Sequence, residues 1–218
     1  AQTVAFECPD WLRPRALNSE LPGTIRAWAS ANADPEFHAT HHAVRRVYCY
    51  YLYAPQQESR SLDGRPPIDD ERAAAALDGL CGYNDFHNLT PDDTGTQRGV
   101  SGRLERDGEW LVIEVAAGGF ARELVRRLVS VVRIVGIGER PVDWIDDLLA
   151  TDPVDPRPPP APPEPLVLSA VRYPGVDFER DPQAADSGAV AFGERAIEAV
   201  ARGRVSRAVV DRLTENRG

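Results

Sequence analysis

The 218-residue chain has 42% hydrophobic residues and four tryptophans, enough to bury a substantial core in one large or two small domains. No apolar run approaches the ~20 residues that a membrane span requires, and the first residues lack the features of a signal peptide, so we expect a cytoplasmic location. The three cysteines are far apart and the four histidines lack ligand spacing, which argues against a disulfide framework and against a metal site.

The charge pattern is unusual, because the net charge is −9 while all 25 basic residues are arginine. A strong acidic excess normally argues against a polyanionic partner such as RNA. In a protein adapted to molar salt, however, the Debye length falls to ~3 Å, so distant carboxylates repel RNA only weakly. Local arginine clusters therefore remain candidates for phosphate binding.

The first third of the chain predicts short elements that form only part of a domain. Residues 1–8 (AQTVAFEC) are predicted as a strand, 13–22 (RPRALNSELP) as a short helix closed by proline, and 24–33 (TIRAWASANA) as an alternating strand. A strong strand is predicted from Arg46 to Tyr53, followed by a polar loop over 56–67. A helix is then predicted from Asp69 to Leu80, with an acidic first turn that suits the helix dipole.

The remaining segments alternate between helix and strand. The clearest local signal is a hairpin over 100–117 with an Asp107-Gly108 turn, followed by helices over 120–138 and 141–150. A polyproline connector (153–164) and a final strand (165–174) come next, then a loose polar stretch and an acidic, peripheral helical tail over 189–202 and 205–213. No Gly-rich phosphate loop interrupts these elements. We therefore predict an α+β fold with a mainly antiparallel sheet and helices on one face.

The stretch over 37–52 (FHATHHAVRRVYCYYL) concentrates histidine, arginine and tyrosine. Alternation along a strand puts Tyr48 and Tyr50 on one face with Arg46, and a mostly apolar set on the other. This pattern is typical of a half-buried strand whose tyrosines fill the edge of the core. The alternative is the wall of a reaction site, and the strand by itself leaves that alternative open.

Several further segments match one family in order and in spacing. They are LNSELP, FHA, R-x-Y-x-Y, G-x-x-DF, a hairpin ending in VIEV, GF-x-x-x-LVR, VG-x-G and a terminal L-x-L strand. From Ala1 to about Pro174 they resemble the tRNA pseudouridine synthase A family, in a salt-adapted, haloarchaeal-looking member. The resemblance implies a pseudouridine-synthase-like fold and an isomerase that acts on uridines near positions 38 to 40 of the tRNA anticodon arm. It also implies that no metal or organic cofactor is needed, and it suggests a homodimer.

The same resemblance implies a division into domains. Residues 1–36 would be the end of an N-terminal α/β domain, 37–174 a C-terminal α+β catalytic domain, and 175–218 an acidic, partly helical tail. In the family the nucleophilic aspartate lies in an Arg-Thr-Asp-x-Gly-Val-His-Ala segment, and residues 1–8 resemble the strand that follows it. No Arg-Thr-Asp triplet occurs in the sequence, and the chain contains no methionine. We therefore expect a fragment that starts shortly after its nucleophile and is inactive by itself.

The family's functional residues carry over to four matched positions. Tyr48 looks like the tyrosine that stacks on the target base, as a platform alone or also as the base that takes the proton from uracil C5. Arg126 looks like the arginine that pairs with the catalytic aspartate and keeps it ionised. Leu166 looks like the apolar residue beneath the flipped base, and Phe120 like a residue that shapes the same pocket. Such a set suits a reaction that needs an aromatic platform and the exclusion of water.

Three more residues are candidates for substrate contact, each with a structural alternative. His38 either orders the RNA-facing surface or is a hydrogen-bonded structural histidine. Arg46 and Arg122 either contact phosphate or form ordinary salt bridges. Asp85, in the segment GYNDF, is expected to cap or brace a turn and not to take part in catalysis.

Two other function classes remain open. A non-catalytic RNA-binding α+β module would have the groove without the aspartate. A purely structural or assembly domain would bind no RNA, even in high salt.

Overall fold

The computed structural model describes residues 2–57 and 64–215 of the chain. Its strands are β1 (Ala29–Ser30), β2 (Arg45–Tyr53), β3 (Gly82–Asp85), β4 (Gln97–Asp107), β5 (Trp110–Ala117), β6 (Leu166–Arg172) and β7 (Glu179–Arg180). Its α-helices are α1 (Pro14–Glu20), α2 (Asp70–Leu80), α3 (Leu124–Gly136), α4 (Trp144–Leu149) and α5 (Pro182–Glu215). Of the predicted polar loop over 56–67, residues 58–63 lie outside the described residues.

The chain divides into two units, which are described separately. The first consists of Ala1–Val4 and Ala39–Pro174, and the second of Ala5–His38 and Gly175–Gly218. The domain boundaries predicted after residues 36 and 174 stay predictions. Within the described ranges, no helix is long and apolar enough to cross a membrane.

The first unit is built on a five-stranded antiparallel sheet in the order β3-β4-β5-β2-β6. The apolar residues of β5 and β2 that face one side of this sheet are buried together with the inner faces of α2, α3 and α4. Gly102 in β4 allows this close packing, because a Cβ atom there would lie 2.9 Å from the side chain of Leu77 in α2. The predicted α+β class, with a mainly antiparallel sheet, is confirmed.

Local sequence explains how two of these elements begin and turn. The carboxylate of Asp69 accepts hydrogen bonds from the backbone N–H groups of Glu71 and Arg72, at 2.9 and 3.0 Å, and so caps α2. Strands β4 and β5 pair up to Asp107 and Trp110, so the two loop residues of the hairpin are 108 and 109. The predicted turn was one residue early, because Gly108 supplies the positive φ of 57° as the first loop residue.

The proline-rich segment over 152–163, here called the proline strap, is part of the first unit and is fixed to it by polar contacts. The buried side-chain amide of Asn88 donates to the carbonyl oxygens of Leu148 and Asp152, at 3.3 and 3.0 Å. Its own oxygen accepts the N–H of Val154 at 2.9 Å. The predicted polyproline connector is therefore a bound part of the unit and contributes to its structure.

The second unit departs from the sequence-based predictions. Residues 2–8 form no strand, and of the predicted strand over 24–33 only Ala29 and Ser30 pair, with Arg180 and Glu179 of β7. The alternation was misleading because Ile25 and Trp28 are about half exposed and do not form a buried face. The predicted short helix over 13–22 is confirmed as α1.

The predicted tail of two helices is one continuous helix, α5. It starts earlier than expected because the carboxylate of Asp181 accepts the N–H of Ala184 at 3.1 Å, and Pro182 suits a first helical position. The glycines at 188, 193 and 203, which weaken a helix, lie within it.

Candidate active site

Strand β2 lies between β5 and β6 and exposes its two faces unequally. Tyr48 is partly buried against the core and Tyr50 is only 2% exposed, whereas Tyr51 on the opposite face is 46% exposed. The tyrosine face, and not the mostly apolar face, therefore meets the helices. On this strand Tyr48 is the neighbour of Val115 in β5 and of Leu168 in β6.

Tyr48 contacts one of the other predicted site residues directly. The rings of Tyr48 and Phe120 meet edge to face, with their centroids 5.4 Å apart and their planes at 84°. Phe120 stands in the short segment between β5 and α3 and packs against the core. The two rings thus form an aromatic corner where β2 and this segment meet, and an edge-to-face pair of this kind orients both rings.

The segment that carries Phe120 is held by hydrogen bonds from two sides. On one side the guanidinium of Arg46 donates to the carbonyl oxygens of Gly118 and Thr40. On the other side Asp92 accepts the backbone N–H of Arg122 at 2.7 Å and lies 3.3 Å from its guanidinium. The Arg46 and Arg122 side chains are thus used to fix this segment, and contact with phosphate stays a prediction for both.

A strained residue follows in the same segment. Glu123 precedes α3 with a left-handed φ of 62°, a conformation that costs a non-glycine residue about 1–2 kcal/mol. Thr90 supports the chain here, because its hydroxyl donates to the carbonyl oxygen of Arg122 at 2.9 Å. This hydrogen bond fixes the residue immediately before Glu123 and so helps to retain the strained conformation.

Arg126, in the first turns of α3, lies close to Tyr50. The Nε of Arg126 donates to the carbonyl oxygen of Ala161, and the Tyr50 hydroxyl donates at 3.0 Å to that of the next residue, Pro162. Burial raises the pKa of Tyr50, and the positive charge of Arg126 opposes that rise. Because Tyr48 and Tyr50 share a face of β2, the phenol at 48 and the guanidinium at 126 lie on the same side of the sheet.

Arg126 and the next residue differ in their electrostatic partners. Arg127 forms an ion pair of 2.8 Å with Glu123, donates to the carbonyl oxygen of Pro158, and has a side chain only 13% exposed. Arg126, by contrast, forms no ion pair with any carboxylate in residues 2–57 and 64–215. A partly buried positive charge of this kind can stabilise a carboxylate or an anionic transition state.

The remaining predicted site residues are placed less closely. Leu166 is the neighbour of Tyr50 across β6 and packs on the core, while Leu168 is the direct neighbour of Tyr48. His38 is exposed and belongs to the second unit. Asp85 accepts the backbone N–H of His87 at 3.0 Å, and a hydrogen bond from Thr96 is the largest cause that lowers its pKa, so it braces a turn as predicted. No three His, Cys, Asp or Glu side chains of the described part could hold a metal ion.

Sequence reasoning missed the residues that support the site. Thr90 and Asp92 hold the segment of Phe120, yet both lie in TPDDTG, a stretch that contributes to the acidic charge and carries no separate signal. Asn88 was also missed, because a buried asparagine that bridges distant carbonyls leaves no periodic pattern. The Thr-Pro-Asp sequence is a turn signal and could have indicated a fixed loop.

Comparison with known proteins identifies the family of the chain. A family model described as tRNA pseudouridine synthase matches residues 73–174, which include Phe120, Arg126 and Leu166. A tRNA pseudouridine synthase A from Haloarcula marismortui is 50% identical over 214 residues, covering 97% of this chain and 77% of the relative. One from Natronomonas pharaonis is 50% identical over 96% of this chain and 76% of the relative, and one from Methanothrix thermoacetophila is 38% identical over 77% and 59%. The chain belongs to the tRNA pseudouridine synthase family. The first two organisms are haloarchaea, which fits the acidic, lysine-free composition.

Proposed function

We propose that this protein isomerises uridine to pseudouridine in the anticodon arm of tRNA, near positions 38 to 40. Membership of a family of isomerases supports the reaction. The single observation that carries the site assignment is that Tyr48 contacts Phe120 on the face of β2 where Tyr50 and Arg126 donate hydrogen bonds to the adjacent carbonyl oxygens of Pro162 and Ala161.

The reaction breaks the bond between uracil N1 and the ribose and forms one from C5 to the same ribose carbon. C5 therefore loses a proton and N1 gains one. Tyr48 suits the first of these tasks, because its ring can stack on the extruded base while its hydroxyl takes the C5 proton. Phe120 and Leu166 supply apolar surface that excludes water from the detached uracil.

Arg126 is proposed as the ion-pairing partner of the nucleophilic carboxylate. The Arg-Thr-Asp segment that the resemblance implies is not among the 218 residues, so the partner itself has no position here. A guanidinium held by the carbonyl oxygen of Ala161 is oriented in advance, and it would keep a nearby aspartate ionised.

The experiment is pseudouridine mapping in tRNA transcripts treated with protein from the complete open reading frame, with tritium release from C5-labelled uridine as the rate. Tyr48→Phe and Arg126→Leu should lose turnover while they still bind tRNA. Tyr51→Phe is the matched control, because Tyr51 lies on the opposite face of the same strand. Unchanged turnover in Tyr48→Phe would reject Tyr48 as the base, and tRNA binding without any isomerisation by the unmodified protein would favour the RNA-binding module.

Two further features are proposed, the first on the resemblance and the second on the sequence features given above. We propose a homodimer, tested by light scattering in high salt with and without tRNA. We propose a cytoplasmic location, tested by fractionation of cells that express a tagged protein. A monomer in both conditions, or recovery of the protein with membranes, would contradict the respective proposal.

A further inference from the structure

The outer face of the sheet, opposite the helices, has a shallow groove at the end where β2 begins. Its volume is about 320 Å³, and it is lined by Arg45, Ser101 and the glycines at 82, 99 and 118. The floor is open because Gly99 and Gly118 have no side chains, and a Cβ atom at either position would only touch its neighbours, at 3.8 and 3.5 Å. The protein could therefore fill this space at little cost, but the groove is left open.

Arg45 lines the groove on the side of β2, and a second arginine stands on the next strand. Arg45 of β2 stands directly opposite Arg172 of β6, and both residues are exposed. Like charges placed directly opposite each other on neighbouring strands are destabilising. Neither arginine forms an ion pair with a carboxylate of the described residues; the polar contact of Arg45 is with the hydroxyl of Ser101, at 3.4 Å. Further along the same face, Glu114 is already neutralised by Arg103.

The positive charge of these two arginines contrasts with the net negative charge of the chain. The chain has a net charge of −9, and several arginines elsewhere are paired with carboxylates, among them Arg103, Arg106 and Arg122. Two exposed arginines on neighbouring strands, without carboxylate partners among the described residues, therefore attract an anion, and planar guanidinium groups suit the oxygens of a phosphate.

An exposed aromatic residue borders the floor of the groove on the side of β3. Tyr83 of β3 is 74% exposed and stands beside Gly99 of β4, so its ring borders the glycine floor. Three strand spacings, about 14 Å, separate β3 from β2, which a short stretch of single-stranded RNA can span. An exposed ring beside a positively charged groove is the arrangement with which proteins hold unpaired nucleotides.

We propose that this sheet-end groove (lined by Arg45, Gly99 and Gly118, with Tyr83 and Arg172 beside it) binds an unpaired segment of the tRNA substrate next to the target uridine. A base stacks on Tyr83, and a neighbouring phosphate binds Arg45, with Arg172 adding positive charge. Arg45 is three residues before Tyr48, about 10 Å along β2, so the groove lies near the active site along this strand but on the opposite face of the sheet, and the RNA would pass around the end of the sheet. The proposal rests on the proposed function, since it assigns a second contact to the same RNA.

The proposed phosphate contact is tested by equilibrium binding of a substrate tRNA transcript to the full-length protein over a series of KCl concentrations. The double variant Arg45→Gln/Arg172→Gln should bind more weakly, and its slope of log K against log salt should be smaller by about 0.7–0.9, the contribution of one phosphate contact. Arg103→Gln is the matched control, an exposed arginine of the same face that is already paired. An unchanged slope in the double variant would overturn the phosphate contact.

The proposed stacking of a base on Tyr83 is tested with Tyr83→Ala. This variant should lower the affinity for tRNA at least about fivefold without changing the slope of log K against log salt. Trp110→Ala, an exposed aromatic at the opposite end of the sheet, is the control and should bind like the unmodified protein. Gly99→Leu provides a second variant that fills the floor and should also weaken binding. Thermal melting of each variant shows that it is folded, and wild-type affinity in folded Tyr83→Ala and Gly99→Leu would reject the groove.

The proposed isomerase function and the proposed RNA contact in the groove can be rejected independently. Groove variants should raise KM for tRNA and leave kcat at saturating tRNA within about twofold, because they do not touch the reacting base. If the unmodified protein isomerises uridine and the groove variants bind normally, the groove is wrong and the proposed function stands. If the unmodified protein binds tRNA through the groove and forms no pseudouridine, the proposed function fails and the groove stands.

Discussion

Two consecutive arginines in the first turns of α3, Arg126 and Arg127, differ in their electrostatic partners. On the side of Arg127, each charge has its partner, because the guanidinium lies between Glu123 and the carbonyl oxygen of Pro158 and is largely buried. On the side of Arg126, one contact with Ala161 orients the guanidinium, and no carboxylate of the described residues neutralises it. Both arginines contact the proline strap, and the difference separates an arginine whose charge is neutralised by Glu123 from one whose charge is left for a further partner.

The largest expected effect is that of Arg126→Leu on turnover. Loss of a charge that stabilises the nucleophile should lower kcat about 10²- to 10³-fold, since single preorganised electrostatic contacts contribute this much in other enzymes. The melting temperature should change little, because one carbonyl bond is lost. Single-turnover pseudouridine formation measures the rate, and calorimetry measures the stability.

Arg127→Leu should show the reverse pattern. Removing it leaves the partly buried Glu123 and the Pro158 carbonyl without their partner, which should lower the free energy of unfolding by about 2–4 kcal/mol. Turnover of the folded fraction should stay within a few-fold of the unmodified protein. Equal losses of turnover in both arginine variants would remove the distinction between the two sides.

Asn88→Ala should weaken the attachment of the proline strap. It removes three hydrogen bonds, to Leu148, Asp152 and Val154, at a site with no solvent access. We expect a loss of about 2–3 kcal/mol in urea unfolding. A loss below ~0.5 kcal/mol would mean that the strap is held by its other contacts, such as that of Arg157 with the carbonyl oxygen of Thr90.

The smallest effect concerns acid stability and Asp85. Its pKa is lowered from its ordinary value, first by the hydrogen bond from Thr96, so its ionised carboxylate stabilises the folded state. This contribution is lost as the pH falls through the folded-state pKa. The stability of Asp85→Asn should therefore decline less than that of the unmodified protein on going from about pH 5 to pH 3. Parallel declines in the two proteins would show that Asp85 does not titrate with folding.

The first unit could largely be predicted from the sequence, because its elements bury periodic apolar faces. The hairpin and α2 have a turn signal and a cap signal, Gly108 and Asp69, and α3 and the strand of Tyr48 have a clear period. The second unit could not, since its alternating residues Ile25 and Trp28 are exposed and its long helix contains glycines. Alternation predicts a strand only where one face is buried.

The candidate site could be predicted only in part. Tyr48, Phe120 and Arg126 followed from motifs, and the structure adds the Tyr50 hydroxyl and the adjoining carbonyls of the proline strap. Those carbonyls are backbone groups of a segment more than thirty positions from Arg126, and sequence patterns do not report which backbone atoms a side chain meets. The bracing role of Asp92 was hidden for the same reason.

The central claim, that the phenol of Tyr48 and the guanidinium of Arg126 serve one reaction site, is tested most directly by a double-mutant cycle. The single-turnover rates of Tyr48→Phe, Arg126→Leu and the double variant are compared with that of the unmodified protein on the same tRNA. We predict strong non-additivity, with the double variant about as slow as the slower single variant. Rates that fall by the product of the two single effects would show two independent groups and contradict the claim.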